Sequence, residues 1–224
     1  MSLGDVIGPV MIGPSSSHTA GAARLGDLAR ICLGAPLSNV KIFLRGSFLK
    51  TAKGHGTDKA LLAGLMGFQP DDPRIRDAFN EAGSRGLVYS FMGEDVDGAH
   101  PNSVRFELFS SDGQTMEVTG ASIGGGAVEI REIDGFKVNI SGEYPTLVTC
   151  HKDVPGVVAS LSHYLAGAGI NIATVTLSRK SRSGMASMVV EMDNPISQSD
   201  IDSIVTENNA VLKAFVLHSD GGDA

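Results

Sequence analysis

The order of apolar periodicities after Pro145 narrows the fold of this chain more than any other feature. Thr146–His151 alternates like a strand, and Pro155–Ala168 has helical spacing. Asn171–Arg179 and Met185–Met192 read as strands, Ser199–Glu207 as a helix and Val211–Leu217 as a strand. That order is βαββαβ, which predicts a ferredoxin-like arrangement. Upstream the pattern differs. Helices are expected over Ala20–Cys32, Lys59–Met66 (capped by Thr57 or Asp58) and Arg74–Ala82, the last begun by Pro73. Strands are expected over Val40–Phe48, Leu87–Phe91, Val104–Phe109, Thr115–Thr119, Val128–Ile133 and Phe136–Ile140. A break at Ser141-Gly142-Glu143-Tyr144-Pro145 separates the two patterns. The expectation is an α+β (mixed α/β) chain with one domain over 1–142, a second over 143–218 and a mobile polar tail over 219–224.

Composition removes several function classes. The 224 residues carry 18 Lys and Arg against 25 Asp and Glu, a formal charge of −7. Nucleic-acid binding relies on Lys and Arg neutralising phosphates, so that class is not expected. No apolar run approaches the roughly 20 residues of a membrane span, and Met1–Val10 has no basic leader segment. Two distant cysteines, Cys32 and Cys150, give neither a disulfide framework nor a metal knuckle and suit a reducing cytoplasm. Most cubane iron–sulfur sites need at least three thiolates, so any such cluster must come from another chain. Glycine is the outlier at 28 residues, scattered through short motifs that suggest tight turns and backbone-lined sites.

Three of those motifs carry candidate chemistry. Gly13-Pro14-Ser15-Ser16-Ser17-His18-Thr19 runs into a helix, whose free N–H groups and positive end attract a carboxylate or phosphate. A generously capped helix with solvated hydroxyls is the bland alternative. Gly54-His55-Gly56-Thr57-Asp58 places His55 on a turn before a helix, where the positive helix end favours a neutral imidazole that can act as a base. A surface-loop histidine is its alternative. Ser122-Ile123-Gly124-Gly125-Gly126 fails the dinucleotide fingerprint, because a strand pattern follows it rather than a helix. It is either a bend offering N–H groups to a carboxylate or a glycine bulge. His100-Pro101-Asn102 is a further polar knot entering a strand.

Taken together and in this order, the segments are similar to a known family. The run Asp5–Gly21, Gly54–Asp58, His100–Asn102 and Ser122–Gly126 resemble the beta subunit of iron–sulfur-dependent L-serine dehydratase (L-serine ammonia-lyase). The resemblance extends from about Gly4 to His218. It implies an N-terminal domain like the allosteric substrate-binding domain of D-3-phosphoglycerate dehydrogenase, followed by an ACT domain. It also implies a partner alpha subunit that ligates a [4Fe–4S] cluster acting as Lewis acid, with no metal ligand in this chain.

By the same resemblance this chain supplies the base. His55 is the first candidate and His18 the second, either as a polarising partner or as a substrate ligand. Ser15, Ser16, Ser17 and Thr19 would orient the carboxylate or ammonium of L-serine, with His100, Asn102, Gly124 and Gly125 completing the substrate loops. In the ACT domain His151, Asp153, Gly156 and Asn171 would bind an effector, and two such domains would pair. The principal alternative is a non-catalytic amino-acid-binding regulatory subunit. A purely structural subunit is another, while a pyridoxal phosphate route lacks a phosphate loop beside Lys50, Lys53 or Lys59.

Overall fold

The computed structural model describes residues 10–217. The expectations for Met1–Pro9 and for the tail 219–224 lie outside the described residues. Contacts divide the chain into two units, Met1–Gly135 and Phe136–Ala224.

The first unit opens with a π-helical turn, Ser16–Ala20, that runs directly into α1 (Gly21–Leu33). Strand β1 (Leu37–Leu44) follows, then α2 (Gly46–His55) and α3 (Thr57–Leu65). A 3₁₀ turn (Pro73–Asp77) precedes α4 (Ala78–Ser84). Strands β2 (Val88–Gly93), β3 (Ser103–Ser110), β4 (Thr115–Gly124) and β5 (Ala127–Ile133) complete the unit. The strands of this unit lie in the order β2-β1-β3-β4-β5 within a six-stranded sheet. Only β1 and β2 pair in parallel.

Close helix packing explains two of the glycines. A Cβ on Gly26 would lie 2.3 Å from the Leu61 carbonyl oxygen, and one on Gly64 only 1.9 Å from that of Ala23. Helices α1 and α3 therefore meet backbone to backbone, which no larger residue permits. Leu25 of α1 seats on the sheet over Gly120, where a Cβ would come within 2.7 Å of it.

Helix α2 corrects the sequence reading. Val40–Phe48 was expected as one strand, but β1 stops at Leu44 and the chain turns at Gly46 (φ +52). The carbonyl of Pro101 accepts from the N–H groups of Ser47 and Phe48, satisfying the new helix start. Arg45 is clamped to Glu94 at 2.6 Å, and Glu94 also holds Arg105 at 2.9 Å. Burial pushes the Glu94 carboxyl up, but the hydrogen bonds from Arg105 and Arg45 outweigh it and hold the group below the usual range. Glycines near both ends of α2 and its short apolar face disguise it in the sequence. The third expected helix also differs, because its first turn is 3₁₀, capped by Asp72 through the Arg74 N–H.

The second unit contains β6 (Phe136–Ile140), β7 (Thr146–Lys152), α5 (Val157–Gly167), β8 (Ile172–Arg179), β9 (Met185–Met192), α6 (Gln198–Glu207) and β10 (Val211–Leu217). Its antiparallel sheet runs β10-β7-β9-β8. From β7 onward this is the βαββαβ order that the periodicity predicted. Leu147, Leu161, Leu165, Val190, Ile204 and Val211 form its core with their neighbours. Helix α6 starts in a capping box between Ser197 and Asp200. Helix α5 starts later than expected, at Val157, with Gly156 (φ +94) as its cap and no side-chain cap bond. No helix among the described residues is long and apolar enough to cross a membrane.

Candidate active site

The two histidine motifs converge in the first unit. Ser15 ends the extended approach to the π turn, and its Oγ accepts from the His18 backbone N–H at 3.3 Å. The same Oγ lies 3.3 Å from His18 Nδ1, and Ser47 Oγ lies 3.0 Å from His18 Nε2. Both ring nitrogens thus have a hydroxyl partner whichever tautomer is present. The Phe48 ring packs edge-on at 5.3 Å between centroids. The exposed His55 ring sits 5.2 Å from His18, tilted by 40°. Burial, and then the neighbouring His55, holds His18 below the usual imidazole range, which favours its neutral form.

His55 occupies a different local structure from the one expected. It is the last residue of α2, and Gly56 (φ +69) both ends that helix and starts α3. Of the two expected caps of α3, Asp58 accepts through Oδ1 from the first-turn N–H of Lys59 at 2.8 Å, while Gly56 holds the N-cap position itself. Thr57 is instead fully buried, with no partner on its hydroxyl. The junction turns His55 towards His18.

The remaining expected residues divide. Ser16 gives its carbonyl to the Gly21 N–H, closing the π turn, and Ser17 is half-buried within that turn. Thr19 is buried, and its Oγ1 has no hydrogen-bond partner. A cavity of about 280 Å³ lies against Thr19, lined also by Gly13, His55, Lys59 and Arg76.

His100 accepts from the Asn102 N–H at its Nδ1, and burial, then Arg131, holds its pKa below the usual range despite the opposing pull of Glu129. This knot supports α2 through the Pro101 carbonyl and β4 through the bond from Ser122 N–H to Asn102 O. Gly124 and Gly125 belong to the β4–β5 hairpin, whose turn is Gly125-Gly126 with positive φ at both residues. Arg24 of α1 ties that turn down by donating to the Gly126 carbonyl at 3.1 Å. Neither His100, Asn102, Gly124 nor Gly125 lines the cavity.

A larger hollow, about 760 Å³, lies beside α2 over Leu44, Phe79, Tyr89 and Phe91. It holds neither a histidine nor a buried unpartnered hydroxyl, so the chemistry points to the smaller one. Sequence reasoning missed Ser47, Lys59 and Arg76 at the site. Ser47 sits in the unrecognised helix. Lys59 and Arg76 lie beyond the motifs and reach the cavity only through folding.

In the second unit Asn171 lies apart from His151 and Asp153, which act on each other electrostatically. His151 is buried, with Nδ1 3.4 Å from the Thr149 hydroxyl, and burial holds its pKa below the usual range against the pull of Asp153. Asp153 does not cap α5. It accepts from the Ser183 N–H and from Arg179 Nη1 at 3.2 Å, and these bonds, the Ser183 one foremost, hold its carboxyl low against the opposing effect of burial. Asn171 donates to Asp193 at 2.7 Å, at the other end of β8 from Arg179. Gly156 holds the cap position of α5, where its carbonyl accepts from the Ser160 N–H.

Fold and site together define a two-unit α/β protein with a histidine pair, one member of which, His55, lines a small cavity with Lys59 and Arg76. The serine dehydratase beta chain family model matches residues 5–86, the span holding both histidine segments. The chain is 41% identical to the probable L-serine dehydratase beta chain of Bacillus subtilis, over 91% of this chain and 92% of that one. It is 39% identical to the L-serine dehydratase beta chain of Peptoniphilus asaccharolyticus, over 87% and 88% of the two. A D-3-phosphoglycerate dehydrogenase of Bacillus subtilis is 29% identical over 83% of this chain, but over only 34% of its own length. The chain belongs to the serine dehydratase beta chain family.

Proposed function

We propose that this chain is the beta subunit of a two-subunit L-serine dehydratase, releasing pyruvate and ammonia from L-serine. The observation that carries the reading is the His18–His55 pair, 5.2 Å apart beside the cavity, in a chain of this family. His55 removes the Cα proton. The β-carbon–oxygen bond breaks, and its electron pair leaves with the hydroxyl, which departs as water after taking a proton. The resulting aminoacrylate tautomerises to an imine, and water hydrolyses that to pyruvate and ammonia. A positioned base contributes about 10²–10⁴-fold to such a step. His18, fixed by Ser15 and Ser47, positions and polarises beside it.

The [4Fe–4S] cluster belongs, in this reading, to a partner alpha subunit. Among the described residues no group of three or more His, Cys, Asp or Glu side chains is placed to hold a metal. Cys32 and Cys150 lie in different units and do not fit a cluster. This chain's part is proton transfer and positioning.

The second unit reads as an ACT module on its βαββαβ order and its β10-β7-β9-β8 sheet. Asp153 and Asn171 lie at opposite ends of β8, so an effector touching both requires a second copy of the module. Edge strand β8 exposes Val175 and Leu177, which suits such pairing.

The test is pyruvate release from L-serine under anaerobic conditions, with this chain co-expressed beside a cluster-bearing alpha subunit and alone as control. Activity in the co-expressed sample only is the expected result. A stable complex with an intact cluster and no pyruvate would instead identify a non-catalytic amino-acid-binding subunit.

A further inference from the structure

Strand β2 is a sheet edge without the usual protection. It ends its sheet, and no further strand among the described residues pairs with its outer side. Val88–Gly93 follows β1 residue for residue without a bulge, and its sequence, Val-Tyr-Ser-Phe-Met-Gly, holds no charge and no proline. Edges that stay open to water ordinarily carry one of these devices, because a bare row of N–H and C=O groups recruits another strand. Edge strand β10 shows the contrast, since it breaks register between Val211 and Lys213 and carries that lysine.

The surface beside β2 is apolar with a basic rim. Phe79, Tyr89 and Phe91 line the 760 Å³ hollow, and their rings pack on one another at 5.9 to 6.5 Å between centroids. Leu49, Val88 and Met92, on α2 and β2, are 44%, 61% and 36% exposed, so apolar surface stays in water here. Lys50 and Lys53 also line the hollow, exposed and without an ion pair among the described residues. Asp58 reaches it too, but its Oδ1 is engaged by the Lys59 N–H at 2.8 Å.

We infer that this edge and hollow dock an extended segment of a partner chain, which adds as a strand beside β2. Apolar side chains at alternate positions enter the hollow, and carboxylates meet Lys50 and Lys53. An open backbone edge is answered by another backbone, which favours a polypeptide over a small molecule, and the lysines select an acidic one. A second copy of this chain fits less well. Pairing β2 with itself about a two-fold axis joins two hollows on one side of the sheet and brings their lysine rims together. The inference rests on the proposed dehydratase reading and deepens it, since in that reading the partner is the cluster-bearing alpha subunit. The hollow shares Gly54 and Lys59 with the cavity that His55 lines. A segment seated in it therefore runs beside the proposed base, so docking and completion of the site coincide.

The test is the Kd between the full chain and the alpha subunit, titrated anaerobically. Val88→Lys puts a charge on the bare edge, and the double variant Lys50→Glu with Lys53→Glu reverses the rim. All three positions are exposed, so the Tm of the chain alone should hold in both variants. Each variant should raise Kd at least 10-fold. Added salt should weaken the parent complex more than that of the double variant. Excess alpha subunit should restore kcat in both, which a residue acting in the chemistry would not allow.

Parent-like Kd values in both variants would overturn the inference, and pyruvate from those complexes would leave the dehydratase reading standing. Self-association of the chain alone that Val88→Lys abolishes, with its Kd for the alpha subunit unchanged, would give the edge to a second copy and overturn the inference too. Weakened association in both variants, with a parent complex that makes no pyruvate, would uphold the docking face and defeat the dehydratase reading.

Discussion

The two units use their motif residues in opposite ways. In the first, residues far apart in sequence are drawn to one place: His18 with Ser47 and His55, and Thr19 with Lys59 and Arg76. In the second, residues of one motif set are dispersed, Asp153 at one end of β8 and Asn171 at the other. A chemical site within one chain needs convergence. A regulatory site shared between copies does not. In our reading the difference places chemistry in the first unit and association or effector binding in the second.

Substitutions in the two cores sharpen that division. The core cluster around Leu161 is built from residues of the second unit, so its loss should register first in that unit. Leu161 is 2% exposed at the centre of the second core. Leu161→Ala should cost that unit about 2–5 kcal/mol and lower its denaturation midpoint while the first unit's transition holds. Gly64→Ala reverses the pattern. It drives a methyl group into the Ala23 carbonyl, costing the first unit about 1–3 kcal/mol, again by denaturant titration with probes in each unit. A shared shift in both transitions would break the comparison.

Smaller effects should separate positioning from packing. Ser47→Ala removes the partner of His18 Nε2 and should lower kcat about 10-fold, with Ser47→Thr restoring most of it. A merely structural serine would change stability and leave the pH profile of kcat alone. The smallest expected effect is on acid stability. Burial holds both His18 and His151 below the usual imidazole range. The unfolded chain takes up those protons first, near pH 6.5, so their contribution is full above that pH and declines as pH falls towards the folded values. His151→Gln should therefore flatten the loss of Tm of the second unit between about pH 6.5 and 5 and leave the first unit's slope unchanged.

The second unit was the more legible in sequence because its periodicities are long and uninterrupted. Val211–Leu217 and Met185–Met192 became strands with the predicted bounds. The first unit was legible at its motifs and opaque between them. Gly46 and Gly54 break the helical pattern of α2, and what starts that helix is the carbonyl of Pro101, a contact no local reading supplies. Ser47 was hidden for the same reason. No sequence motif marked Lys59 and Arg76 as neighbours, since their common cavity exists only once α3 meets the 3₁₀ turn. Asp153 resembled a helix cap by position, but Arg179 and the Ser183 N–H captured its carboxylate.

The claim that this chain supplies the base is tested most directly by His55→Ala in the assembled two-subunit enzyme, assayed with L-serine and with L-serine deuterated at Cα. The account predicts a kcat loss of about 10²-fold or more with the complex and its cluster intact, and a primary isotope effect larger than that of the unmodified enzyme. Near-normal turnover with an unchanged isotope effect would contradict it.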